Sequence, residues 1–181
     1  MRKFLNLLSI ALVVMIGILG TACEVDPCKD VVCNNTDANA FCLEGSCVCS
    51  PGYEGTDCST LSATRFEGSY DAVETCDVAG SYTYVDPVVV SASAVDPSKI
   101  FLNNLTDFDC NGSSVNASAN IVLNEFTLDS TEVHCDLPGL VGFTIGGTGT
   151  YFEATSTITL NYRIYFLDNT SDNCTITLTK K

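Results

Sequence analysis

The sequence predicts a mainly β chain, in which a small disulfide-rich module precedes an antiparallel β domain of about eight strands. Three observations predict it. Six of the eleven cysteines crowd into residues 28–58. The chain beyond them repeatedly alternates apolar and polar residues with period two, the pattern of half-buried strands. No stretch after the first 22 residues carries a helical period of 3.6.

The N-terminal element is an export leader over 1–22. Arg2 and Lys3 supply a positive start, Phe4 to Leu19 is mostly apolar, and Gly20, Thr21 and Ala22 are the small residues that precede cleavage. The apolar run is shorter than the about 20 residues of a spanning helix, and no second candidate follows it. Removing the leader leaves 159 residues and takes away two of the eight basic side chains but none of the 22 acidic ones, for a formal charge of −16. A surface this acidic is repelled by phosphate backbones, so nucleic acid is excluded as a partner.

Eleven cysteines behind an export signal indicate an oxidising compartment, and the odd number leaves one over. Its place is given by "GILGTACEVDPC", Gly17 to Cys28. The run Leu19-Gly20-Thr21-Ala22-Cys23 resembles a bacterial lipobox, with Ala22 as the small residue before the cysteine and Gly20 where an aliphatic residue is usual. The resemblance implies that the Cys23 thiol is alkylated by a diacylglyceryl group and becomes the mature N-terminus. Residues 23–27 are then a lipidated linker, and two or three acyl chains hold the protein on a membrane where one would bind marginally. Lipidation makes the remaining count even. Glu24, in place of aspartate, favours the outer membrane or cell surface. The alternative is ordinary cleavage before Cys23, giving a secreted, unlipidated protein.

The module over 28–58 reads "CKDVVCNNTDANAFCLEGSCVCSPGYEGTDC", with spacings C-x4-C-x8-C-x4-C-x-C-x8-C. A 31-residue segment cannot bury enough apolar surface to fold unaided, so cross-links must stabilise it. Six cysteines allow fifteen pairings, and spacing alone does not select one. The run Cys47-x-Cys49-x-x-Gly52-Tyr53-x-Gly55-x-x-Cys58 resembles the C-terminal half of an EGF-like module, and the whole six-cysteine spacing matches. The resemblance implies the pairs Cys28–Cys42, Cys33–Cys47 and Cys49–Cys58. Gly52 and Gly55 suit tight turns that need positive φ, and Tyr53 covers the small core. Glu24-Val25-Asp26-Pro27 partly matches the acidic element of calcium-binding EGF-like modules, but the element after the third cysteine is missing. No calcium is expected here.

Residues 62–181 form the β domain. In "SVNASANIVL", Val115, Ala117, Ala119, Ile121 and Leu123 point one way. In "TITLNYRIYF", Ile158, Leu160, Tyr162, Ile164 and Phe166 do so, and in "CTITLTK", Cys174, Ile176 and Leu178. Less regular strands are expected near 69–76, 80–93, 99–105, 131–137 and 141–153, punctuated by Pro87, Pro97, Pro138 and clusters of Asp, Asn and Gly. Such a set closes as an up-and-down barrel or packs as a two-sheet sandwich. "RFEGSYDAVETC" and "DNCTITLTKK" resemble the opening and closing strands of small all-β domains in lipoproteins of Bacteroidetes-type bacteria. That resemblance implies a lipocalin-like barrel. If its first and last strands are neighbours, Cys76 pairs with Cys174 and Cys110 with Cys135; swapped pairings stay open.

Candidate chemistry is sparse. "DFDCNG" places Asp107, Asp109 and Asn111 at alternate positions before Gly112, as in the first half of a calcium loop, but Ser118 stands where the bidentate glutamate belongs. A disulfide-pinned loop accounts for it, and no metal or other cofactor is expected. His134 is the single histidine, without a nucleophile-elbow pattern to serve. Six N-x-S/T triplets begin at Asn34, Asn104, Asn111, Asn116, Asn169 and Asn173, as chance provides in a chain rich in these residues. The expected protein is therefore not an enzyme. It is a lipid-anchored cell-surface binding or adhesion module with an extracellular protein or glycan partner, or else a lipocalin-like carrier whose barrel encloses a small apolar ligand.

Overall fold

A computed structural model describes residues 26–33, 39–106, 114–134 and 142–181. The leader, Cys23, the pair Cys110 and Cys135, and the residues Asp107, Asp109 and Asn111 lie outside the described residues.

The cysteine-rich segment is built on two short hairpins. Strand β1 (Ala40–Leu43) pairs antiparallel with β2 (Ser46–Cys49), and β3 (Tyr53–Glu54) pairs with β4 (Thr60–Leu61). Disulfides join Cys28 to Cys42, Cys33 to Cys47 and Cys49 to Cys58. The core between them is small: Cys33, Ala40 and Cys58 are buried, with Val31 and Tyr53 packed against them. Gly52 has a φ of 86°, and a side chain there would run into the backbone of Pro97 and Ser98, so the turn lies hard against a loop of the larger sheet. Ser62 N donates to the Gly52 carbonyl at 2.9 Å, and Arg65 forms an ion pair with Glu54 across the same junction.

The rest is a closed antiparallel barrel of eight strand positions. In chain order they are β5 (Gly68–Cys76), β6 with β7 (Gly80–Thr83, Val88–Ala92), β8 (Lys99–Asn103), β9 (Ala117–Val122), β10 with β11 (Glu125–Leu128, Thr131–Val133), β12 (Phe143–Phe152), β13 (Thr157–Phe166) and β14 (Ser171–Lys180). Each pairs with its neighbours in sequence, and β14 returns to β5 with Cys174 opposite Cys76 and Lys180 opposite Tyr70. Of the two architectures the alternation allows, the structure is the barrel.

Two departures from the expected strands have local causes. The strand expected over 80–93 is divided: β6 and β7 lie on the same edge of β5, but the register slips by two residues between Cys76↔Gly80 and Tyr70↔Val88. Pro87, which has no N–H to give a ladder, sits in the break. Strand β10 was not anticipated. It follows β9 through the two-residue turn Leu123–Asn124, where Leu123 takes a φ of 57°. A leucine in that conformation is an uncommon turn residue, so apolar alternation ran through it without a stop signal. Leu123 is consequently exposed, unlike its expected partners Val115, Ala117, Ala119 and Ile121, all buried.

Loops between strands are held by one repeated device. Asp96, Asp168 and Asp57 each accept from the hydroxyl and the backbone N–H of the Ser or Thr two residues on. Those hydroxyl bonds, followed by the backbone ones, hold each carboxyl below its ordinary pKa.

Inward residues fill the barrel. Val88 and Val90, Ile100 and Leu102, Ala117 and Ala119, Phe126, Phe143 and Ile145, the β13 residues Ile158, Leu160, Tyr162 and Ile164, and Ile176 and Leu178 form one core with Tyr70. One end is stoppered by a short 3-10 turn, Ser62–Arg65, and the residue after it. Phe66 is fully buried, its ring 5.7 Å from those of Phe126 and Tyr151, and its carbonyl accepts from Tyr70 Oη at 2.6 Å. Gly149 makes room for the Phe126 ring, which a side chain there would strike. At roughly 1.5–3 kcal/mol for each large apolar side chain, this core dominates the stability.

Candidate functional site

Among the described residues, the acidic side chain buried deepest in the barrel core is Glu74. Glu74 lies on β5 at inward parity with Tyr70, Ala72 and Cys76 and is fully buried. Tyr84 Oη lies 2.9 Å from its Oε2 and 2.9 Å from the Leu105 carbonyl, and Tyr162 Oη bonds Glu74 Oε1. Among the described residues no Lys, Arg or His pairs with it. Glu74, Cys76 and Cys174 bring potential ligand atoms within 4.8 Å of one another. However, Cys76 and Cys174 are joined in a disulfide, and disulfide sulfur is not the thiolate a metal takes. Sealed from solvent, the cluster is a structural polar network.

Burial is the main cause that raises the Tyr162 and Tyr84 phenols far above the ordinary range, with the neighbouring acidic and phenolic groups adding to it. It also pushes Tyr70 up to about 12, with Tyr151 contributing. Ionisation of these phenols is thus easier in the unfolded chain, whose tyrosines titrate near pH 10. Their contribution to stability is complete below about pH 10 and is lost as the pH rises from there toward the folded values, at up to about 1.4 kcal/mol per pH unit for each phenol. The urea midpoint should hold between pH 7 and 9 and fall steeply above 10. Tyrosinate absorbance should rise together with unfolding; full phenol ionisation in a still-folded barrel would contradict the burial.

Two surfaces among the described residues combine features that suit a partner. The first is the outer face of the β1–β2 hairpin. Phe41 is opposite Val48 and Leu43 is opposite Ser46, so these side chains share a face. The opposite face carries the buried Ala40 and the half-buried Cys42 and Cys49, while Cys47 on that face is itself exposed. Phe41 and Leu43 are 50% and 55% exposed.

The second is a groove of about 430 Å³ on the outer wall of β12, β13, β14 and β5. Register places Thr148, Asn161, Thr175 and Thr75 in one row across the four strands, and Gly146, Arg163 and Asn173 in the next. Thr175 Oγ1 donates to Asn161 Oδ1 at 2.8 Å, and Asn173 Nδ2 to Asp77 Oδ2 at 3.0 Å.

Of the other residues marked in the sequence, Cys174 borders this groove and His134 lines neither surface. His134 is exposed, with Nε2 3.6 Å from Glu132 Oε1. Cys76 and Cys174 bond across the β5–β14 seam. Beside that seam the buried Asp172 carboxylate accepts from Val78 N and Ala79 N, both at 3.0 Å, fixing the β5–β6 turn. Sequence reasoning passed over Glu74, the hairpin face and the groove. Parity would have marked Glu74, because it falls in an otherwise apolar register of "SYDAVETC". No protein-family model matches the chain, and no curated protein is significantly similar to it.

Proposed function

We propose that this chain is a non-catalytic, lipid-anchored cell-surface protein that works by binding, with the 28–58 segment as an EGF-like protein-binding element held close to the membrane by Cys23. The observation that carries the reading is the disulfide-clamped hairpin face. Phe41, Leu43 and Val48 are apolar and solvent-facing in a segment too small to spare apolar surface, and the cross-links keep them from turning inward. Five residues from Cys23 to Cys28 reach at most about 18 Å, so an anchored module stays near the bilayer. The filled barrel interior favours binding on outer surfaces over a carrier with an enclosed ligand.

Two measurements test the two parts. Intact mass of membrane-extracted protein should exceed the mature polypeptide by a diacylglyceryl group and acyl chains, with ten cysteines alkylated only after reduction. An unlipidated mass with one free thiol would remove the anchor. On intact cells, a photo-crosslinking amino acid at Leu43 should trap a protein adduct. The same probe at Val85, which is 89% exposed and outside the hairpin, should not. Equal yields from both positions would remove the hairpin as a binding face.

A further inference from the structure

Gly146 lines the groove on the outer wall and puts no side chain into it. Its neighbour Gly147 is demanded by the fold, because a Cβ there would come within 2.3 Å of the Asn161 carbonyl and 2.5 Å of Tyr162 Cβ. Gly146 is not. A Cβ at that position meets nothing within 4 Å, and its backbone is outside the positive-φ region that favours glycine. Glycine in a strand interior costs roughly 0.5–1 kcal/mol relative to alanine, and more relative to a β-branched residue. A residue that weakens its strand and relieves no clash leaves one local effect: it keeps the floor of the groove bare.

The walls are polar and their charges balance. Arg163 on β13 and Asp77 just after β5 flank Asn173 of β14, and Thr148, Asn161 and Thr75 also line the groove. Arg163 is held in place without being neutralised. Its Nε and Nη2 donate to Ser171 Oγ at 3.1 and 2.7 Å, and its guanidinium lies 5.1 Å from the centre of the Tyr165 ring. Those bonds occupy two of the five guanidinium N–H donors. Among the described residues Arg163 has no carboxylate ion-pair partner, in a chain whose formal charge is −14. At the opposite wall, Asp77 accepts one bond from Asn173 and keeps acceptor capacity to spare.

We propose that this groove is a binding site for a neutral oligosaccharide. The N–H donors that Arg163 keeps free, the Asp77 carboxylate, and the amides and hydroxyls set in register on these strands match vicinal sugar hydroxyls, each both donor and acceptor. An apolar peptide would leave these groups unpaired. A polyanionic glycan would meet Asp77 and the strongly acidic chain. A volume of about 430 Å³ accommodates two or three sugar rings. The inference rests on the binding-protein reading and assigns a ligand class to its second surface.

The test is saturation-transfer NMR on the detergent-extracted full chain with maltotriose, cellotetraose, chitotriose, mannotriose and a heparin hexasaccharide. At least one neutral sugar should bind with a Kd of about 0.1–1 mM, weak as befits an open groove. Gly146→Val should weaken that binding at least tenfold while the thermal midpoint stays level or rises, since valine suits the strand and has room. Arg163→Gln, an exposed change, should weaken it severalfold without affecting the fold. Absence of binding by every neutral sugar up to 10 mM, stronger binding of the heparin hexasaccharide, or binding untouched by Gly146→Val would each overturn the proposal. Because this binding is read in solution, its failure is separable from failure of the lipid anchor or of the hairpin face, both read on cells or membrane extracts.

Discussion

Replacing both Cys76 and Cys174 by alanine is expected to lower the unfolding free energy by about 4 kcal/mol. The disulfide closes a loop with a sequence separation of 98, and long loops lose the most chain entropy when cross-linked in the unfolded state. Both cysteines are buried, so the change also removes packed sulfur from the core. The barrel itself should persist, because β5 and β14 pair from Cys76↔Cys174 to Tyr70↔Lys180 without needing the bond. Urea unfolding of the oxidised chain and the double variant at pH 7 measures the difference, with far-ultraviolet circular dichroism as the control for fold. A loss below about 1 kcal/mol would mean that the unfolded chain is already compact around this seam.

Glu74→Ala should cost a similar amount, about 4 kcal/mol, for a different reason. It opens a cavity in a filled core and removes the carboxyl oxygens bonded by the Tyr84 and Tyr162 hydroxyls. Tyr84 retains the Leu105 carbonyl, whereas Tyr162 loses its carboxyl acceptor and keeps only the neighbouring Tyr84 hydroxyl. Glu74→Gln keeps the shape and offers both an oxygen and an amide to the two phenols, so its effect should stay within about 1 kcal/mol. A thermal or urea series on the two variants decides this. Equal losses for Ala and Gln would show that the carboxylate, not the hydrogen-bonded shape, is what the core requires.

The parts of the fold legible in the sequence are those where one physical rule acts alone. Strands β13 and β14 alternate without interruption, and their inward residues Ile158, Leu160, Tyr162, Ile164, Ile176 and Leu178 are all buried. The turn at Leu123 was less legible, because leucine only weakly signals a left-handed backbone, and at Pro87 the proline marks a break but not the two-residue register slip that follows it. The choice of barrel over sandwich depends on which strands meet at the seam, a long-range fact absent from any local pattern. The surfaces were hidden for the same reason. Arg163, Gly146 and Asn173 come from three different strands and share a groove only through register, and Phe41, Leu43 and Val48 look like core residues until strand pairing sets them opposite the face of Ala40, Cys42 and Cys49.

The β5–β14 seam also has a consequence for the order of folding. Consecutive hairpins from β5 to β13 need only nearby partners and can form as the chain emerges. The seam cannot, since its two sides are separated by the whole barrel sequence. Until β14 arrives, β5 and β13 each present an unpaired edge, which is a template for pairing with another chain. Closure is therefore a late, high-contact-order step that sets the folding rate, and the window before it is when this protein is most exposed to aggregation and to mispaired cysteines.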